Sequence, residues 1–188
     1  MGKNKKTYQD LNLFELPKDF RGKNPVIVQL WWIVQSIFIS TSPQFMYGWR
    51  RNIFRLFGAK IGKNVIIRPS VKMTYPWNIE IGDNSWIGDN VVLYSLDKIE
   101  IGNNVVISQN SYLCTGTHNF SKEAFDIERY PILINDEVWL ASDVFVGPGV
   151  EVKWGAVVGA RSSVYNDVPS EMICIGNPAK PIKPRTIE

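Results

Sequence analysis

An apolar residue recurs every six positions over most of this chain, and that period leaves few folds open. Starts at Ile61-Gly62, Ile81-Gly82, Ile101-Gly102, Ile134-Asn135 and Val152-Lys153 are each followed by apolar residues six and twelve places on. These are Ile67 and Met73, Ile87 and Leu93, Ile107 and Leu113, Leu140 and Val146, and Val158 and Val164. An ordinary α/β domain would not keep this phase. A six-residue repeat with an aliphatic first position is that of a β-helix, in which each hexapeptide is one short strand plus a turn. The aliphatic side chain points inward, and Gly or a small polar residue follows where the backbone turns tightly.

Counting along the chain gives the coils. Ile134 to Val152 spans 18 residues, the length of three hexapeptides, whereas Ile61 to Ile81 and Ile81 to Ile101 span 20 each. The extra pair falls at the same corner both times, as Ile79-Glu80 and Ile99-Glu100. Ile101 to Ile134 spans 33 residues, one coil plus an excursion of 15 from the third corner of the third coil. The expected fold is therefore an all-β solenoid, a parallel β-helix of about five coils over residues 61–170 with a loop, 116–133, inserted. At a strand spacing of about 4.8 Å the prism is roughly 24 Å tall. Residues 1–60 read as a basic and apolar helical region and 171–188 as a C-terminal tail, which cap the ends of the stack. The period carries no handedness, and general chirality rules favour right-handed connections.

The net charge of +3 hides an asymmetry. Residues 1–60 carry 10 Lys/Arg against 3 Asp/Glu, and residues 61–188 carry 11 against 15. A basic N-terminal region suits an anionic partner such as a lipid surface, or is simply a solvated face. No charged side chain occurs from Val26 to Trp49. Its apolar part, Val26 to Ile39, is too short for a membrane span of about 20 residues. Flanked by Lys23, Arg50, Arg51 and Arg55, it suits a helix lying on a membrane, and equally one docked on the protein or on another subunit. Trp49 to Phe57 reads as a second short helix ended by Gly58. Met1-Gly2 begins like a myristoylation site, but Thr7 stands one place too late. Two cysteines, Cys114 and Cys174, are too few for a disulfide framework, and no secretory signal is apparent, so a reduced, cytoplasmic compartment is expected, at the inner face of the membrane if the basic region meets lipid.

The stretches IGNNVVISQNSYLCTGTHNF, INDEVWLASDVFVGPGVEVKWGAVVGARSSVYNDVP and IGNPAKPIKPR resemble the hexapeptide-repeat acyltransferases with a left-handed parallel β-helix, closest to the branch of colanic-acid-type exopolysaccharide biosynthesis. The N-terminal WWIV, Ser42-Pro43 and RLFGAKIG extend the resemblance over most of the chain. It implies a homotrimer with active sites between subunits, acetyl-CoA as donor, and a sugar hydroxyl or amine as acceptor, with no nucleic acid.

Acyl transfer to a hydroxyl needs a base and donors for the tetrahedral oxyanion. His118 is the only histidine, it sits at the mouth of the excursion, and imidazole is the side chain that unperturbed exchanges a proton near neutral pH. The resemblance gives the base to the histidine of the Thr115-Gly116-Thr117-His118 stretch. Asp97, one coil before Thr117 at the same corner, is a candidate to orient the imidazole, or else a corner turn residue. Tyr94 on the same face is a candidate acceptor contact, or a stacking partner for the next strand. Asn119 stands where relatives often carry Asp and is a third substrate candidate. A Cys114–His118 nucleophilic pair is disfavoured: four residues of strand separate them by about 13 Å if extended. Direct transfer is then expected.

For the donor, the resemblance implies that the small residues Ala141, Ser142, Gly159 and Ala160 line the pantetheine arm. Trp139 walls the channel or packs between subunits, and Lys180, Lys183 and Arg185 meet the phosphates. Tyr165-Asn166-Asp167 replaces the family's Thr-Lys-Asp, so Tyr165 is expected to stack on the adenine in place of a phosphate contact. Rival readings are N-acetylation of an amino sugar, a non-catalytic scaffold, and a membrane-surface adaptor. The β-helix carbonic anhydrases hold zinc with three histidines where this chain has one, so no metal is expected.

Overall fold

The computed structural model describes residues 6–187, so the Met1-Gly2 pattern lies outside the described residues. The chain winds into a triangular parallel β-helix. The first face stacks Lys60–Ile61, Ile79–Ile81, Ile99–Ile101, Ile132–Ile134 and Glu151–Val152 in that order. The third stacks Lys72–Met73, Val92–Tyr94, Tyr112–Cys114, Phe145–Val146 and Ser163–Val164. The second runs from Ile66–Ile67 through Trp86–Ile87, Val106–Ile107, Trp139–Leu140 and Val157–Val158 to Met172–Gly176 and Ala179–Pro184.

All fifteen aliphatic positions of the repeat are buried, none more than 8% exposed. Each such side chain contributes roughly 1.5–3 kcal/mol on leaving water, and the stacking repeats that gain in every coil. The corners are tight. A Cβ on Gly82 would lie 2.6 Å from the Gly102 carbonyl carbon. Asn64, Asn84, Asn90, Asn104 and Asn110 occupy corner positions with positive φ, a conformation that Asn tolerates better than most residues. The extra pairs lengthen the first-face strands, with Ile79, Ile99 and Ile132 in register and buried.

The structure adds a partial sixth turn. Val168 bridges Val152, Cys174 pairs with Val158, and Ala179–Pro184 folds back antiparallel on Met172–Gly176. The segment read as a tail is thus β structure at the end of the second face.

At the other end, α1 (Pro25–Val34), which continues through a π turn Gln35–Ile39, and α2 (Tyr47–Leu56) close the first coil. Asn24 caps α1, its Oδ1 accepting from Ile27 N–H at 2.9 Å. The carbonyls of a first coil have no strand beyond them to bind, and an open edge invites pairing with another chain. Here arginines take them. Arg50 Nε donates to Ile67 O at 2.7 Å, Arg51 Nη1 to Val65 O at 2.8 Å, and Arg55 Nη2 to Ile61 O at 2.7 Å. Arg50 is fully buried and also donates to Ser42 Oγ and to the carbonyls of Pro43 and Gln44. The three arginines that look in sequence like membrane-facing flanks are thus directed onto the first coil, whereas Lys23, on the other flank, is exposed. One side of α1 docks likewise: Trp31 is buried and its Nε1 donates to Met73 O at 2.9 Å.

Candidate active site

The excursion is a β-hairpin. It departs at Thr115, whose Oγ1 donates to Tyr94 O at 2.8 Å and accepts from Asp97 N–H at 2.9 Å. The next residue passes close over the preceding coil: a Cβ on Gly116 would lie 2.7 Å from Leu96 Cδ1 and 3.1 Å from Tyr94 Cε1. Strands Gly116–His118 and Ile127–Arg129 pair antiparallel, with His118 opposite Ile127. Tyr130 N–H donates to Thr115 O at 2.9 Å and closes the neck. By Ile132 the chain is back on the first face, so the loop expected to run to 133 ends inside a coil strand.

The N-terminal segment straps the hairpin. Arg129 Nη1 donates to the carbonyls of Phe20 (2.6 Å) and Leu96 (3.0 Å), and its guanidinium lies 5.0 Å over the Phe20 ring. Asp10 N–H donates to Glu123 O at 2.8 Å. Within the loop, Asn119 Nδ2 donates to Glu128 Oε1 and Asn119 Oδ1 accepts from Ser121 N–H. The Tyr130 hydroxyl donates to the other Glu128 oxygen.

His118 is exposed on this hairpin. Its Nδ1 stands 2.8 Å from Phe125 O, and its ring stacks on the Phe125 ring with centroids 4.4 Å apart. A carbonyl only accepts, so Nδ1 carries the hydrogen and Nε2 is left as the acceptor. Asp97, a candidate to orient the imidazole or else a corner turn residue, is engaged locally: its Oδ1 accepts from Lys98 N–H at 2.7 Å. Asn119, a substrate candidate, bonds Glu128 and Ser121 within the turn. Cys114 donates from Sγ to Gly116 O at 3.3 Å, and burial pushes its thiol pKa up.

Tyr94 begins an outward aromatic ladder on the third face. It runs through Tyr112 and Phe145 to Tyr165, with centroid separations of 6.2, 6.1 and 5.7 Å. Burial raises the Tyr94 phenol and pushes that of Tyr112 up to about 12, so both stay protonated donors. Tyr165, expected to stack on adenine, ends the ladder half exposed.

Ala141, Ser142, Gly159 and Ala160 fall on the corner between the second and third faces, in the fourth and fifth coils. At the second position after each second-face strand the residue shrinks, from Asp89 and Gln109 to Ser142 and Ala160, each of the last two followed by a larger corner residue, Asp143 or Arg161. The bare stretch ends at Ile175, which rests on Gly159: a Cβ there would lie 2.5 Å from Ile175 Cγ1. Lys180 is paired across from Ile175, and Lys183 from Ile173. Arg185 is occupied differently, with Nη1 donating to the carbonyls of Glu137 (2.8 Å) and Gly155 (3.0 Å). Trp139 borders the track, its Nε1 donating to Ser108 Oγ at 3.0 Å.

His118 and the bare track stand at different corners of one prism, separated by the whole third face. Residue types alone did not point to Phe125, Glu128, Arg129 or Phe20. The contact that orients His118 is a main-chain carbonyl, which leaves no mark in a sequence.

No family model matches the chain. Its fold is shared with a galactoside acetyltransferase solved with coenzyme A, at 25% identity and a TM-score of 0.79 over 92% of this chain and 85% of that one. It is shared also with a hexapeptide-repeat acetyltransferase of Vibrio cholerae solved with acetyl-coenzyme A, at 25% identity and a TM-score of 0.78 over 86% of this chain and 88% of that one. Structures of an N-acyltransferase from Bacillus cereus share the fold alone, at 21% identity and a TM-score of 0.59 over 73% of this chain and 90% of that one. The class so defined is the hexapeptide-repeat acetyltransferases, with a left-handed β-helix. Within it, the chain is 56% identical over 177 residues, 94% of its length and 97% of the relative's, to a protein of Escherichia coli K12 named as a colanic acid biosynthesis acetyltransferase, WcaF. It is 31% identical over 137 residues to the Escherichia coli galactoside O-acetyltransferase, across 71% of this chain and 68% of that one. The chain belongs to this family and is an acetyltransferase.

Proposed function

We propose that this enzyme transfers the acetyl group of acetyl-CoA directly to a saccharide hydroxyl in exopolysaccharide biosynthesis, with His118 as general base. The observation that carries the reading is the imidazole itself: exposed on a strapped hairpin, it holds its hydrogen on Nδ1 against Phe125 O and leaves Nε2 free. In the reaction, Nε2 takes the hydroxyl proton as the sugar oxygen bonds to the acetyl carbonyl carbon. The carbon–sulfur bond then breaks, and the departing thiolate receives the proton from the imidazolium.

The small residues Ala141, Ser142, Gly159 and Ala160 suit an extended amide arm, because none of their own side chains is larger than a hydroxymethyl group. Lys180 and Lys183, exposed beside the end of the track, suit the phosphates. The two halves of the site meet when His118 of one chain faces the bare corner of another, which supports a homotrimer with three sites between subunits. O-acetylation is favoured over N-acetylation by the galactoside O-acetyltransferase relative. The N-terminal helices are the part that brings the enzyme to the inner face of a membrane.

Thiol release from acetyl-CoA, measured against a panel of sugars, nucleotide sugars and lipid-linked saccharides, tests the activity. NMR of the product distinguishes ester from amide. Full activity in His118→Ala removes the base assignment.

A further inference from the structure

The side of α1 that turns away from the prism is apolar. Val28, Trp31 and Ile39 are buried against the protein, while Val26, Leu30, Ile33 and Ile37 are each at least half exposed. Their spacing of four, three and four residues puts these four on one stripe, opposite the docked side. Phe38 and Trp49 extend the exposed apolar surface, with Trp49 Nε1 donating to Phe38 O at 3.1 Å.

A shallow hollow lined by Pro25, Val26, Gln29, Leu30 and Ile33 meets, at Pro25, two hollows that share Lys18 and Lys23, one of them lined also by Arg21. Asp19 is the only acid lining any of the three. From Phe20 to Ile79 the sequence contains no Asp or Glu. With Arg50, Arg51 and Arg55 turned onto the first coil, Lys18, Arg21 and Lys23 are the cations beside the stripe. Among the described residues no helix is long and apolar enough to cross a membrane.

We propose that this face, the Val26–Leu30–Ile33–Ile37 stripe with Lys18, Arg21 and Lys23 at its N-terminal end, docks on an anionic lipid bilayer. The proposal rests on the membrane reading given above and names its lipid chemistry and its contact face. An apolar stripe with three cations against the single acid Asp19 at one end matches acyl chains beneath anionic headgroups, with the helix lying in the plane of the interface. Phe20, two residues beyond Lys18, carries the Arg129 contact to the hairpin. Docking therefore holds the His118 hairpin in a set relation to the lipid surface.

Flotation of the full chain on two vesicle preparations tests this: phosphatidylcholine alone, and phosphatidylcholine with about 30% phosphatidylglycerol, an anionic content sufficient for a negative surface potential. The expected result is flotation on the anionic vesicles at low salt that falls by about tenfold or more as salt screens the surface. Leu30→Glu/Ile33→Glu is expected to abolish it, and Lys18→Glu/Lys23→Glu to reduce it to the level of neutral vesicles. All four positions are on the surface, and unchanged thermal melting verifies folding. No flotation on either vesicle overturns both the membrane reading and this proposal. Equal flotation on both, unaffected by Lys18→Glu/Lys23→Glu, keeps the membrane reading and overturns the anionic partner. Flotation that survives Leu30→Glu/Ile33→Glu overturns the face. A wild type that does not float but whose oligomer dissociates in Leu30→Glu/Ile33→Glu overturns the proposal in favour of a second copy as the occupant.

Discussion

His118 donates from Nδ1 to the carbonyl of Phe125 at 2.8 Å while the two rings stack at an interplanar angle of 11°. One residue thus fixes both the tautomer and the plane of the imidazole, and it does so from a positive φ of 51° that aromatic residues seldom adopt. His118→Ala is expected to lower kcat by about 10²–10⁴-fold, the usual worth of a positioned base. Phe125→Ala keeps the carbonyl and loses the stack, so an intermediate loss of kcat with little change in KM for acetyl-CoA is expected. Steady-state kinetics of the two variants check this, and wild-type kcat in Phe125→Ala would refute a role for the stack.

Cys114 lies four residues before His118, yet its half-buried thiol donates to Gly116 O and partial burial raises its pKa. A raised pKa means less thiolate at any given pH than a free cysteine has, and nucleophilicity follows the thiolate. Alkylation of Cys114 at pH 8 is therefore expected to be slower than that of a free thiol, followed by mass spectrometry. Cys114→Ser should retain activity within a few-fold. Loss of all turnover in that variant, with an acetylated Cys114 trapped in the wild type, would establish a covalent route instead.

The bare corner predicts a donor-specific defect. Ser142→Phe is expected to raise KM for acetyl-CoA by tenfold or more while the acceptor KM changes little, since a large side chain there crowds the track of small residues. Lys180→Ala and Lys183→Ala are expected to cost about tenfold in the same constant, the equivalent of about 1.4 kcal/mol. Repeating the assay with a dephosphorylated acetyl-CoA shrinks the lysine effect if these side chains meet the phosphates.

Arg50 is buried at the cap and makes four hydrogen bonds, three of them to main-chain carbonyls. Arg50→Met leaves those acceptors without a donor, and a loss of about 3 kcal/mol or more is expected. Thermal or denaturant unfolding measures it. Arg50→Lys should recover only part, because a single ammonium cannot span the geometry of the guanidinium fork. Activity per folded molecule should be unchanged in both.

The period of six made the prism legible because every coil repeats the same demand for an aliphatic side chain at Ile61, Ile81, Ile101, Ile134 and Val152 and their six- and twelve-residue partners. Interruption of that period located His118 for the same reason. Features that depend on main-chain atoms were not legible. Phe125 O, a main-chain atom, orients the imidazole, and the carbonyls of Ile61, Val65 and Ile67 draw in arginines that look solvent-bound in sequence. Residues 172–184 lack the aliphatic rhythm because the last strand runs antiparallel, so their β structure gave no periodic signal.

The hairpin leaves at Thr115 and returns at Ile132, which pairs with Ile99 as Ile99 pairs with Ile79. Its insertion shifts nothing above or below it. The register of the coils is therefore independent of the length of what hangs from this corner. A loop of another size, carrying the same histidine and a different acceptor surface, can be exchanged there without moving the register of any coil, provided it keeps the packing of Ile127 and Arg129 on Phe20 and Leu96.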